Sequence, residues 1–178
     1  IIRHPFADHG LIQQHPGKVG PNVVANVEEG LTYSALDVAN AMTEQSRIYR
    51  NWQRFFETTD YILTPAVTIS PRDWHELYPE QIDGVATESY YHWLSLAYAS
   101  TLTGHPSITI PAGRDELGLP FGLQIVGRKG DDLGTLAVAA ELEALFADDD
   151  ELRPPKVDLD ALRQAPPISQ AEGFLGFA

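Results

Sequence analysis

The residues of this chain that could do chemistry fall into a few groups, each judged by what its chemistry demands. Asp73, Glu76, Glu80, Asp83 and Glu88 offer carboxylate pairs of the kind glycosidases use, but that chemistry needs two acids held at a fixed separation across a cleft. Here they are scattered along a polar stretch and read as surface charges. His4, Asp8, His9 and His15 carry metal-ligating atoms in a segment broken by Pro5, Gly10, Pro16 and Gly17. The i,i+4 helical pairing that sets two imidazoles on one face is missing, so no metal is expected. Gly127-Arg128-Lys129-Gly130 precedes a helix and invites an anion. Asp131 and Asp132 in the first turn would repel it, and Asp148 to Glu151 lacks EF-hand spacing. A nucleophilic serine needs a positioned base and N–H donors, usually from a glycine-rich turn. None of the eight serines sits in a Gly-x-Ser-x-Gly or Gly-Gly-Ser-Ser run. Ser107 comes nearest, yet it follows Gly104-His105-Pro106 and enters a strand, where a small residue suits a turn. That leaves Tyr90 and Trp93, aromatic residues on an apolar helix, as candidate lining of a substrate pocket, since such pockets are mostly apolar with few polar groups. No cofactor is expected.

The elements that must position these residues can be read from periodicity. Residues 1–33 look loop-rich, with Pro5, Gly10, Pro16, Gly17, Gly20, Pro21 and Gly30 interrupting any period. Ser34 with Asp37 forms a capping-box-like start to a helix over 34–56. Its stripe of Val38, Met42, Gln45, Tyr49, Trp52 and Phe56 is expected to be core. Tyr61 to Thr64 reads as a buried strand stopped by Pro65, and 65–87 as a long connection packed over something. A helix over 88–102 is apolar nearly all the way round and is expected to be buried on more than one side. Ser107-Ile108-Thr109-Ile110 has the period of a half-buried strand between Pro106 and Pro111. Phe121 to Gly127 is its antiparallel partner across the reversal Ala112–Pro120. A helix over 131–146 follows, with Leu133, Leu136, Ala137, Ala140, Leu142, Leu145 and Phe146 as the expected buried set, and Asp131 and Asp132 complementing its dipole. Residues 148–178, with Pro154, Pro155, Pro166 and Pro167, read as a tail that wraps or frays.

The order of motifs from Thr101 to Leu133 resembles the C-terminal part of the amidase signature family. The family pattern is T-x-x-G-x-P-x-x-x-x-P-x-G, then glycine-leucine-proline, then G-L-Q-I-V-G and an acidic helix start. Thr101, Gly104, Pro106, Pro111, Gly113, Gly118-Leu119-Pro120, Gly122-Leu123-Gln124-Ile125-Val126-Gly127 and Asp131-Asp132 occupy it here. Asp60 to Ala66 is similar to the family's strand ending in a threonine-proline step, and Asn26 to Leu31 also fits. The resemblance implies hydrolysis of an amide C–N bond by two serines and a lysine base, which family members carry in their N-terminal half. A lysine base must be neutral near pH 7, which requires burial or a nearby cation. Lys18, Lys129 and Lys156 all sit in turn chemistry, where solvation keeps an ammonium charged. No catalytic residue is therefore expected in this chain.

Composition bounds the rest. The 178 residues, 43% apolar, are enough for one domain with a sizeable core. A formal charge of −13 argues against nucleic acid, and no apolar run approaches the ~20 residues that span a bilayer. Without cysteine there is no disulfide framework, and a cytoplasmic setting is expected. The expectation is an α/β fold: a partial mixed sheet of strands near 61–64, 107–111 and 121–127, packed against helices 34–56, 88–102 and 131–146. It forms a single partial domain over 1–178 with its core in 34–147. Its expected role is to complete the sheet and one pocket wall of an amidase acting on a small-molecule amide substrate, inactive alone. A homodimer is left open. A non-catalytic partner-binding module, and a piece of the glutaminase subunit of a tRNA-dependent amidotransferase, are the alternatives.

Overall fold

A computed structural model describes residues 5–73, 76, 78–88, 91–154 and 156–167. The segment expected to be loop-rich contains two helices, α1 (Pro5–Gln14) and α2 (Pro21–Leu31), which pack on each other. Proline at the first helical position costs no hydrogen bond and has the right φ, so Pro21 starts a helix here rather than breaking one. Val27 of α2 is buried. Helix α3 (Ala35–Phe55) begins with the capping box: Ser34 Oγ accepts from Asp37 N, while Ser34 N donates to Asp37 Oδ2. The hydroxyl beside it holds the exposed Asp37 carboxyl below its ordinary pKa.

The aromatic stripe of α3 is a core face at its C-terminal end only. Phe56, just past the helix, is buried, whereas Val38 and Met42 are half exposed. The C-terminal part of α3 is the part tied to α4 and its following corner, where Gln45 bonds Leu102 O and Gln53 meets His105. The helix expected over 88–102 begins later, as a 3-10 turn His92–Leu94 followed by α4 (Ser95–Thr103). Most of its residues are half-buried rather than enclosed on all sides. The long connection before it includes a short hairpin, β2 (Gln81–Ile82) and β3 (Val85–Ala86).

The sheet is built from β1 (Ile62–Pro65), β4 (Ser107–Arg114) and β5 (Pro120–Val126) in the order β1-β5-β4. Both pairings are antiparallel, so the α/β class holds while the mixed character expected of the sheet is not in these three strands. The β4–β5 reversal is tighter than expected because β4 runs on to Arg114 past a register shift. Asp115 Oδ1 accepts from Leu117 N and Leu119 N, and Gly118 takes the positive φ of 79° that the turn requires. Register puts Ile62, Thr64, Gly122, Gln124, Val126, Ser107 and Thr109 on one face, and Leu63, Leu123, Ile125, Ile108 and Ile110 on the other.

Helix α5 (Asp132–Ala147) closes the second face. Asp131 caps it by accepting from Gly134 N. Ile110, Ile125, Ala139 and Phe146 form the core, with Ile108, Leu123 and Leu142 packed against them. The buried set of α5 therefore differs from expectation: Thr135 and Ala139 are buried with Phe146, while Leu133, Leu136 and Leu145 point outward. A helix apolar on all sides carries no periodic signal of which side meets the sheet. Among the described residues of the tail is one further helix, α6 (Leu159–Gln164), capped by Asp158.

Candidate functional site

A hollow with a chemical character lies where β1 leaves the sheet and β5 enters it. Past Pro65 the chain continues as Ala66, whose N–H still bonds Gly122 O at 2.9 Å, and then turns outward through Val67 and Ile69. Together with Phe121, Gly122 and Trp93 these residues line a cavity of about 370 Å³. Thr68 Oγ1 donates to the Trp93 carbonyl, tying the outgoing chain to the 3-10 turn that carries the indole. Gly122 keeps the floor low. A Cβ there would stand 3.0 Å from both Ala66 Cβ and Thr109 Cγ2, leaving room only for hydrogen. The rim is charged: Arg72 pairs with Glu76, and Asp73 stands beside them.

Such a cavity can hold an apolar group against aromatic walls, with polar groups confined to its mouth. Its described lining offers no serine paired with a lysine. Ser70 is exposed at the rim, and no described serine hydroxyl bonds to a lysine or histidine side chain. Lys18, Lys129 and Lys156 are all exposed. Lys129 Nζ donates to Gly104 O at 2.7 Å, closing the C-terminal end of α4 where Gly104 adopts a left-handed conformation.

A second polar centre supports this region without opening to it. His105 is buried and stacks on Phe56 with ring centroids 5.0 Å apart, beside Trp52 and Tyr49. Its Nδ1 meets Thr103 Oγ1 at 2.8 Å and its Nε2 meets the Gln53 side chain at 3.2 Å. Burial lowers its pKa, and the Lys129 ammonium adds to the effect. A neutral imidazole with both nitrogens engaged joins α3 to the α4–β4 corner and has no free atom for catalysis. The partly buried hydroxyls of Ser100 and Ser107, 3.1 Å apart, join the same corner.

Of the two aromatic residues singled out from sequence, Trp93 lines the cavity, and Tyr90 lies outside the described residues. Phe121 and Gly122 were not anticipated as lining, and Ile69 only as part of the long connection 65–87. Phe121 lies at the start of a strand whose pattern read as sheet alone. Ile69 lies in a connection with no period, so only the way the chain folds back brings it to Trp93.

Comparison with known proteins places these features. The amidase family model matches residues 16–136. An acylamidase of Rhodococcus erythropolis is 27% identical over 130 residues, which cover 72% of this chain and 27% of that protein. A glutamyl-tRNA(Gln) amidotransferase subunit of Zymomonas mobilis subsp. mobilis is 35% identical over 96 residues, 54% of this chain and 18% of that one. Among solved structures, a bacterial aryl acylamidase of the amidase signature enzymes superposes with a TM-score of 0.67 at 21% identity, over 79% of this chain and 30% of its own. The chain thus spans under a third of each of these three relatives.

Proposed function

This chain belongs to the amidase family, and on that premise we propose that it is the C-terminal segment of an amide C–N bond hydrolase, supplying strands of the sheet and one wall of the substrate pocket. The observation that carries this is the cavity under Trp93 and Phe121: mostly apolar, lined by two separate strand ends, and without a lysine among its described lining. The nucleophile, the proton relay and the lysine base come from sequence beyond these 178 residues. Trp93 contacts the apolar part of the substrate, with Tyr90 as the second contact of this reading. The substrate class is a small amide with an aromatic or otherwise apolar substituent. The protein works in the cytoplasm without a cofactor.

The experiment is hydrolysis of simple anilides. The 178-residue chain alone is expected to show none, while the same chain joined to an amidase N-terminal half containing the serine-rich loop is expected to turn them over. Turnover by the isolated chain that disappears when one of its own serines is replaced would end this reading. The 35% identity to an amidotransferase subunit supports a second reading, a glutamine-hydrolysing component of such a complex. Glutamine carries charges at its α-carbon and fills an apolar cavity poorly, so hydrolysis of glutamine in preference to anilides by the joined protein would favour that alternative.

A further inference from the structure

The face of the sheet that continues from the cavity floor carries a row of polar side chains. Thr64, Gln124 and Thr109 lie directly opposite one another on β1, β5 and β4. They are the next residues along from Ala66 and Gly122 on the same face, about 7 Å further up the strands. Gln124 is only 6% exposed. No described group hydrogen-bonds its side-chain amide. Thr64 Oγ1, beside it, is buried and has no partner among the described residues. Buried polar groups are almost always bonded, because an unmade bond costs the full desolvation of the group. His105 obeys that rule with both ring nitrogens engaged. Gln124 does not. The opposite face at this level holds Leu123 and Ile125, so apolar residues plainly suit this strand. A polar row kept where apolar residues would be more stable is the kind of local conflict that marks a binding function.

We propose that Gln124, with Thr64 beside it, is a hydrogen-bonding subsite for the carboxamide of a ligand whose apolar part occupies the cavity under Trp93. The chemistry of the side chain selects the group. A glutamine amide offers two donors and an acceptor, and its best complement offers both kinds as well. A carboxamide does. A carboxylate only accepts and would enter a chain of formal charge −13. An ammonium only donates. The Thr64 hydroxyl can serve either atom of the ligand amide. Gln124 is thereby a specificity-determining residue that orients the amide relative to its apolar substituent. This inference rests on the pocket reading above.

The test titrates the 178-residue chain with benzamide and with toluene, followed by NMR. Both probes are expected to bind at the cavity, with contacts from the benzamide amide protons to the Gln124 side chain. Gln124→Met should weaken benzamide roughly three- to tenfold, the worth of one or two neutral hydrogen bonds, and leave toluene unchanged. Thr64→Val should weaken benzamide less. Gln124→Glu should reverse the preference, so that the benzamidinium cation binds better than benzamide. Equal weakening of both probes would mean a structural role and would overturn the proposal. Binding of both probes, indifferent to all three substitutions and without contacts to Gln124, would overturn the subsite while leaving the pocket standing. Failure of either probe to bind the unmodified chain would remove the pocket and the subsite together. Should Gln124→Met not fold, the contacts in the unmodified chain and the Thr64→Val titration decide.

Discussion

The two faces of the three-stranded sheet are finished in different ways. On one, Ile108, Ile110, Leu123 and Ile125 meet Ala139, Leu142 and Phe146 of α5, and Ile125 has no exposed surface at all. On the other, the strands present Thr64, Gln124 and Thr109, then a bare glycine, then a cavity. The first arrangement satisfies every group it buries. The second leaves a threonine hydroxyl without a described partner and a hollow of about 370 Å³. Residues 124 and 125 share a strand and a backbone ladder, so backbone hydrogen bonding does not distinguish them. What covers each face does. The α5 face holds the segment together, and the opposite face is the one on which the proposed pocket rests.

Substitutions can break that contrast, and the largest effect is expected on the closed face. Ile125→Ala removes a fully buried side chain and should cost about 2–5 kcal/mol in denaturant unfolding, since the surrounding core relaxes only partly. A loss under about 1 kcal/mol would mean that the α5 core is loosely packed. On the open face, Gly122→Val forces atoms against Ala66 and Thr109. It should cost about 1–3 kcal/mol. It should also abolish binding of apolar probes at the cavity, which a substitution on the α5 face should leave intact in whatever fraction stays folded. Replacing Ser34 with alanine removes the capping box of α3, the helix that packs on α4. About 1 kcal/mol should be lost with no change in probe binding.

The smallest effect is expected from pH. His105 has its folded pKa depressed, chiefly by burial, so the unfolded chain binds a proton more readily than the folded one. Its contribution is intact well above the ordinary histidine value, near 6.5, and falls as pH drops through that value toward the lower folded one. Stability measured from about pH 8 down to about pH 5 should decline, and His105→Gln should flatten the part of the slope nearest pH 6.5. An unchanged slope would show that the imidazole is not desolvated at the α3–β4 corner.

Much of this was legible in the residues. The capping box of Ser34 and Asp37, the β4–β5 pair and the acidic start of α5 are local signals, set within a few residues of one another. The order of motifs in 101–133 was enough to suggest the family. The prolines of residues 1–33 misled because a proline ending one element and a proline starting a helix have the same composition. Pro21 declares which only when the residues after it find a surface. On α5 the apolar pattern was real but isotropic, so the side that meets the sheet depended on where β4 and β5 lie. Trp93 was singled out as pocket lining from composition, whereas Ile69, Phe121 and the unbonded Gln124 carry no signal separable from ordinary sheet and loop.

The sequence alone determined the helices with strong caps, the hairpin and the strands flanking it, because those depend on interactions between near neighbours in the chain. It also determined that no lysine here sits in an apolar stretch. Tertiary structure decided which face of the sheet is closed and which is open, and it brought Ile69, Trp93 and Phe121 around one hollow. Those are meetings between residues distant in the chain. Their energy comes from surface buried against partners that a linear pattern does not name.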